Sequence, residues 1–318
     1  MTPPKSDHFN GRQFVNLTGA AGQPFSAVPR MLRTPRTPWP ASVEVVPQRP
    51  LPLDGSAAVV TFVGHSTFLI QTPGETILTD PMYSRRAGPF NLMGPRRVRQ
   101  PAVRFEDLPP VSTVLLSHNH YDHCDLRTLR WLAARFDPIV VTPVGNGRLA
   151  RRAGMRRVEE LDWWQRATTP RVPITLTPAH HFSARGPFDK NRALWGGFQI
   201  VAGGKRIYFA GDTAYAPFFG DVRQRLGPID LALLPIGAYE PRWFMRVVHM
   251  NPGEAVQAHL DLDASQSLAM HFGTFQLTAE GIDEPVRDLT EALRTRGISL
   301  SYFRTLGFGD SFRLEAQA

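Results

Sequence analysis

Within Ser117-His118-Asn119-His120-Tyr121-Asp122-His123, three imidazoles and one carboxylate fall in six consecutive positions, 118 to 123. Neutral imidazole nitrogen and carboxylate oxygen are the usual ligands of zinc and its first-row neighbours. Alternate side chains of an extended segment share a face, so His118 and His120 can aim at one point. Asp122 and His123 then aim at a second point close by. A set of turn histidines satisfied by hydrogen bonds is the simpler reading, and it suits a lone histidine. Four ligand-type residues in HxHxDH register point instead to metal binding. The chemistry such a register supports is activation of water beside a polarised phosphoryl or carbonyl group.

The elements around this stretch are those that would hold it in place. Val111 to Leu116 is a short apolar run after Pro109-Pro110 and predicts a buried strand, which puts the motif on the turn at the strand's C-terminal end. Leu126, Leu129 and Leu132 follow at helical spacing, with Asp125 placed as the cap. Upstream, Ala57–Val63, Thr67–Gln71 and Thr76–Thr79 predict short strands joined by tight turns, an antiparallel opening that ends at Asp80. Downstream, strands are predicted at 139–142, 174–177, 207–210, 231–234 and 268–270. Helices are predicted at 147–153 and 252–262, the second with Asn251 as cap and Glu254 in the capping-box position. These strands repeatedly stop just before ligand-type residues: the motif itself, then His180-His181, Asp212 and His271. In layered α/β proteins the loops beyond the strand ends gather along one edge, so residues far apart in sequence are expected to meet there.

With 318 residues, 42% hydrophobic and 20% charged, the chain has ample material for a core. Residues 1–54, rich in proline and arginine, read as an irregular arm, and 55–318 as the catalytic domain. No run reaches the length of a membrane-spanning helix, and the first residues lack the apolar core of a secretory signal. A cytoplasmic protein, peripheral at the inner face of the membrane, is the expectation. The single cysteine, Cys124, excludes an intramolecular disulfide and a cysteine-built zinc site. A formal charge of +8 rests almost wholly on arginine and suits anionic partners, phosphate groups and acidic lipid surfaces among them. Base composition that favours arginine codons would produce the same excess. The long segment Met82 to Leu108, with Phe90-Asn91-Leu92-Met93, has the mix of apolar and cationic residues that suits an amphiphile with an anionic head; a surface lid is the alternative.

Taken together, His118-x-His120-x-Asp122-His123, a later single histidine, Gly211-Asp212-Thr213 and a final histidine resemble the metallo-β-lactamase superfamily. The chain is similar, more narrowly, to its N-acyl-phosphatidylethanolamine-hydrolysing phospholipase D branch. The stretches that carry this are Ile77-Leu78-Thr79-Asp80-Pro81, Met93-Gly94-Pro95-Arg96-Arg97, Leu161-Asp162-Trp163-Trp164, the run from Pro235 to Met245, and His271-Phe272-Gly273-Thr274-Phe275. The N-terminal arm is shorter than in animal members, and Phe90, Asn91 and Leu92 do not match the branch cleanly. The resemblance implies an α/β fold, a four-layer αββα sandwich of two mixed sheets flanked by helices. It implies two zinc ions, with iron or manganese as alternatives. One ion would take His118, His120 and His181, the other Asp122, His123 and His271, with Asp212 bridging. Between His180 and His181, the pattern Pro-x-x-His selects His181 as the ligand. His249 matches a further active-site histidine that contacts phosphate or moves a proton; a hydrogen bond at a helix start is the plainer alternative. Asp80, His65 and His180 are expected behind the ligands, and Tyr121, Tyr239 and Arg96 as substrate contacts.

The implied reaction is attack of a metal-bridged hydroxide on phosphorus, with Asp122, Asp212 and His249 as the catalytic group. The products would be phosphatidic acid and an N-acylethanolamine. Other hydrolases on the same scaffold (lactonase, thioesterase, lactamase) are the first alternative, because a carbonyl is attacked as readily. A nuclease is disfavoured, since no continuous basic strip studded with aromatics is present. A non-catalytic metal-binding module is disfavoured by the complete ligand set. A dimer is left open.

Overall fold

The computed structural model describes residues 6–19 and 22–316. Irregular backbone with the short helix α1 (Val28–Leu32) leads into strands β1 (Ala58–Gly64), β2 (Thr67–Thr72) and β3 (Glu75–Thr79), an antiparallel meander. Strands β4 (Thr113–Leu115), β5 (Ile139–Pro143) and β6 (Arg157–Leu161) extend it in parallel, with α2 (Leu126–Arg135) and α3 (Gly147–Arg152) as crossovers. The second sheet repeats the plan. Its antiparallel part is β7 (Ile174–Thr177), β8 (Gly197–Ala202) and β9 (Lys205–Phe209). Its parallel part is β10 (Leu231–Pro235), β11 (Gln266–Met270) and β12 (Phe303–Arg304). Helices α4 (Phe218–Leu226), α5 (Arg242–Met245), α6 (Pro252–Asp261) and α7 (Glu284–Thr295) fill the connections. The last strand, β13 (Ser311–Leu314), returns to pair antiparallel with β1 and complete the first sheet.

Period-two alternation explains how the sheets stack. Ile77, Leu115 and Val141 join the core shared with Ile174, Leu176, Phe198, Phe209 and Leu233 of the second sheet. Their chain neighbours Leu78, Val114 and Val140 point the other way, onto Leu129 and Leu132 of α2 and Ala150 of α3. On the far side, Phe219, Val222, Ala255, Val256, Leu289 and Leu293 cover the second sheet from α4, α6 and α7. The result is the four-layer αββα sandwich expected from the sequence. All residues of β1 and β10 are buried, as strands covered on both faces must be. Asp125 caps α2 by accepting from the Arg127 N–H, and Asn251 with Glu254 forms the full capping box of α6. Each cap is worth about 1 kcal/mol.

One element is shorter than its sequence reading, and β6 and α7 have no counterpart in it. The ladder of β4 spans only Thr113–Leu115 of the apolar run 111–116. Strand β6, Arg-Val-Glu-Glu-Leu, has no apolar alternation because it is the edge of its sheet, where charged side chains meet water. Helix α7 buries Pro285, Leu289 and Leu293, four residues apart, with Val286 and Ala292 half-buried against the same core.

The arm is pinned to the body at His8 and Phe14. Phe14 is 2% exposed, and its N–H donates to Asn191 O at 2.8 Å. His8 stacks on Trp163 with ring centroids 4.0 Å apart and bonds through Nε2 to Asp162 Oδ1 at 2.7 Å. Burial acts to lower the His8 pKa, but the hydrogen bonds and charges of Asp162 and Asp7 prevail and leave it raised. A raised folded-state pKa contributes stability that is fully present below the unfolded value, about 6.5, and is lost as pH climbs through the folded value. The melting temperature of the protein should therefore fall as pH rises above about 6.5 and through the raised folded-state value. His8→Gln should flatten that slope; identical slopes for the two proteins would remove the pair from the account.

Candidate metal centre

The turn that carries the motif is built around Asp80, buried just after β3 and β4 run side by side. Its carboxylate accepts the Ser117 N–H at 2.7 Å, the Ser117 hydroxyl at 2.5 Å and His123 Nδ1 at 2.7 Å. With its proton given to Asp80, Ser117 Oγ accepts from His118 Nδ1 at 2.8 Å. His181 Nδ1 donates to Val248 O at 2.8 Å. These bonds place a proton on Nδ1 of three imidazoles and turn each Nε2 inward, the orientation a metal ligand needs. Backbone strain gathers at the same place: His65, Asp80 and His271 have φ of 58°, 32° and 60°, in the left-handed region. Gly211, at φ 62°, precedes Asp212 where a Cβ would lie 2.7 Å from Ser117 Cβ, so only glycine lets the two sheets' loops approach this closely.

The loops of both sheets converge. His118 Nε2 lies 2.8 Å from His120 Nδ1, and His181 Nε2 is 3.3 Å from the same atom. Asp122 Oδ2 lies 3.4 Å from His123 Nε2 and 3.5 Å from His271 Nε2. Asp212 Oδ2 faces both triads: it is 3.1 Å from His123 Nε2 and from His271 Nε2, 3.9 Å from His118 Nε2 and 3.8 Å from His181 Nε2. Two ligands of one tetrahedral ion at zinc distances stand about 3.4 Å apart, within the range observed. His123 Nε2, His271 Nε2 and Asp212 Oδ1 are buried with no hydrogen-bond partner. Buried polar atoms left in that state are costly unless something absent from the polypeptide pairs them. The donor set therefore fits a pair of cations.

The electrostatics agree with that chemistry. Burial, together with repulsion between neighbouring imidazoles, pushes His118 far down and His120 down to about 3. Burial likewise takes His181 to about 4. All three are neutral near pH 7 and keep a lone pair to donate. His271 is held up at about 9: burial lowers it, but the nearby negative charges of Asp212 and Asp122 outweigh burial. A carboxylate this deep attracts cations, and here the nearest are imidazoliums.

The other expected site residues fall into two groups. His65 Nε2 bonds Asp122 Oδ2 at 3.0 Å, and Asp80 braces His123 as described. His249 Nε2 stands 3.9 Å from Asp212 Oδ2, its ring 5.1 Å from that of His181 and 5.2 Å from that of His271. These three lie with the convergent groups, each within metal-sharing reach of two or more of their members. His180 does not join those groups; its N–H donates to Thr213 Oγ1, and Gly19 of the arm packs on its ring. Tyr121 bonds Arg185 O at 2.9 Å, and Tyr239 bonds Asp288 Oδ2 at 2.5 Å, so both hydroxyls are committed elsewhere. Arg96 is exposed on a bridge to Arg86. Asn16 was not expected. Its side chain accepts the His181 N–H at 3.1 Å and donates to His181 O at 3.0 Å, gripping that residue's backbone from the arm. A lone asparagine in an irregular segment carries no signal of such a role.

Residues 75–272 match the Beta-lactamase superfamily domain. The chain belongs to that superfamily. Within it, the chain is 38% identical over 268 residues to an uncharacterized protein of Mycobacterium tuberculosis, an alignment that covers 80% of this chain and 71% of the relative. It is 36% identical over 254 residues to N-acyl-phosphatidylethanolamine-hydrolyzing phospholipase D 1 of Caenorhabditis elegans, covering 76% of this chain and 71% of that one. Among solved structures, the isothiocyanate hydrolase from Delia radicum gut bacteria superposes with a TM-score of 0.64 at 21% identity, over 81% of this chain and all of that one. The fold is thus that of the metallo-β-lactamase superfamily, and the protein is one of its hydrolases. No helix of the described residues is long and apolar enough to cross a membrane.

For this member of the superfamily, Asp80→Ala would strip the His123 and Ser117 donors of their acceptor. Loss of such a partner typically costs 10–100-fold in metal affinity. Titration with a chelator should show about that loss, alongside a lower melting temperature. Unchanged metal retention would mean that Asp80 only packs.

Proposed function

We propose that the protein is a metal-dependent phosphodiesterase of phospholipase D type. It hydrolyses N-acyl-phosphatidylethanolamine-like phospholipids, presented at a membrane surface, to phosphatidic acid and N-acylethanolamine. The observation that carries the reading is the single Asp212 oxygen facing both histidine triads. The choice of substrate is supported by the Caenorhabditis elegans relative.

In this reading His118, His120 and His181 would hold one ion, Asp122, His123 and His271 would hold the second, and the Asp212 carboxylate lies within reach of both sets. Zinc is the first choice for so many imidazoles, with iron or manganese as alternatives. A bound metal pair supplies Lewis-acid polarisation of the phosphoryl group and lowers the pKa of water towards neutrality. The chain's own part is positional and electrostatic. Asp80, Ser117 and Val248 fix which nitrogen of each imidazole faces inward. Burial keeps charge–charge interactions strong by excluding bulk water. His249, at the border of both triads, kept neutral by burial and with Nδ1 unpaired, could touch a phosphate oxygen or relay a proton between water and the departing alcohol.

The test is a substrate panel run on metal-quantified protein. It should contain N-acyl-phosphatidylethanolamine, bis-p-nitrophenyl phosphate, lactones and nitrocefin. The lipid should turn over fastest, the soluble diester slowly, and the carbonyl substrates hardly at all. Preference for a lactone or nitrocefin over both phosphodiesters would overturn the proposal and leave a carbonyl hydrolase on the same fold.

A further inference from the structure

A surface depression of about 790 Å³ lies beside the metal centre, floored by Tyr121, Cys124 and Asp125 of the motif turn. A smaller hollow of about 400 Å³ continues from it, sharing Leu149, Arg152 and Asp189. Arg127, Arg130 and Arg152 line the first, and Arg148 and Arg192 the second. Nearby guanidiniums are paired, Arg151 with Glu160 and Arg156 with Asp137, whereas these five form no ion pair among the described residues. The acids that line the hollows are engaged elsewhere. Asp125 accepts from Ser84, Thr128 and Asn91, and Asp189 accepts the N–H groups of Arg185 and Gly186. The depression therefore keeps a net positive wall.

Its rim is apolar and exposed. Phe90, Leu92 and Met93 are 88%, 77% and 63% exposed on the loop that borders the depression, and Phe188 is 86% exposed on the loop opposite. The first loop is held at its base, with Asn91 Nδ2 donating to Asp125 Oδ1 at 3.2 Å and Arg86 donating to Gly94 O at 2.7 Å. Phe90 and Asn91 both take left-handed φ, 56° and 57°. Fixed backbone thus presents bulky apolar side chains to solvent, which a surface facing only water does not reward. A free phosphate would use the arginines and have no use for Phe90, Leu92 or Phe188.

We propose that this face docks on an anionic phospholipid bilayer, with Phe90, Leu92, Met93 and Phe188 in the acyl boundary and the five arginines on lipid phosphates. Charge complementarity and the apolar rim both argue for that occupant. The inference takes its membrane setting from the proposed lipid substrate, but its test reads binding and stands or falls apart from turnover. Docked this way, the bilayer lies against the turn that carries His118 to His123, so substrate would have little distance to cross.

The experiment is cosedimentation of the full chain with vesicles of phosphatidylcholine alone or mixed with phosphatidylglycerol. Binding should require phosphatidylglycerol and weaken with salt. Each arginine at an anionic surface contributes about fivefold, so Arg127→Gln/Arg130→Gln should bind about 25-fold more weakly. Phe90→Ser/Leu92→Ser should also release the protein. Both change exposed side chains, and unaltered melting temperatures would verify folding. Equal binding to both vesicle types, wild-type binding by either variant, or displacement of the protein from vesicles by a short DNA duplex would overturn the proposal.

Discussion

Asp212→Asn is expected to lower turnover by about 10³-fold or more, on the basis that metal-assisted charge stabilisation is worth several kcal/mol and each 1.36 kcal/mol is tenfold. The substitution keeps the shape and removes the charge. Asp212 Oδ2 lies within 3.9 Å of four imidazole nitrogens from both triads, so no other side chain can take over its position between them. Its carboxylate also counters the burial that would otherwise lower His123 and His271. Metal content per chain should fall along with the rate. Normal metal content with near-normal turnover would refute the bridging role.

The second large effect is expected at His249. His249→Ala should cut kcat by about 10²-fold or more, the usual scale for a positioned proton donor or phosphate contact. Metal content should stay unchanged, because each ion keeps its own triad and Asp212 when His249 is removed; a fall in metal content would make His249 a ligand, as its Nε2 3.9 Å from Asp212 Oδ2 would allow. A purely structural histidine would show the reverse: a lower melting temperature with kcat intact. Steady-state kinetics with metal analysis on the same preparation separates the two. A change confined to KM would reduce His249 to a binding contact.

The legible part of this protein was the part with local signals. Apolar runs ending at ligand-type residues, such as the stretch before Asp212 and the stretch before His271, are strands that deliver their loops to one edge. The caps of α2 and α6 announce themselves within four residues. What stayed hidden depends on partners distant in sequence. Tyr239 is a plausible substrate contact by its neighbours in the chain, yet its hydroxyl bonds Asp288 on α7. Asn16 reaches His181 across 165 residues, and His8 reaches Asp162 across 154. Nothing near either residue encodes such a meeting; only the stacking of the two sheets and the path of the arm produce it. The charged edge strand β6 was hidden for a different reason: Arg157 to Glu160 are exposed or half-buried on both faces, so no apolar alternation marks the strand.

The most direct measurement is anomalous scattering from crystals of metal-loaded protein, with elemental analysis of the same sample. The account predicts two ions per chain. One should sit among His118, His120 and His181 and the other among Asp122, His123 and His271, with Asp212 touching both. A single ion, or two ions with Asp212 bound to neither, would contradict it.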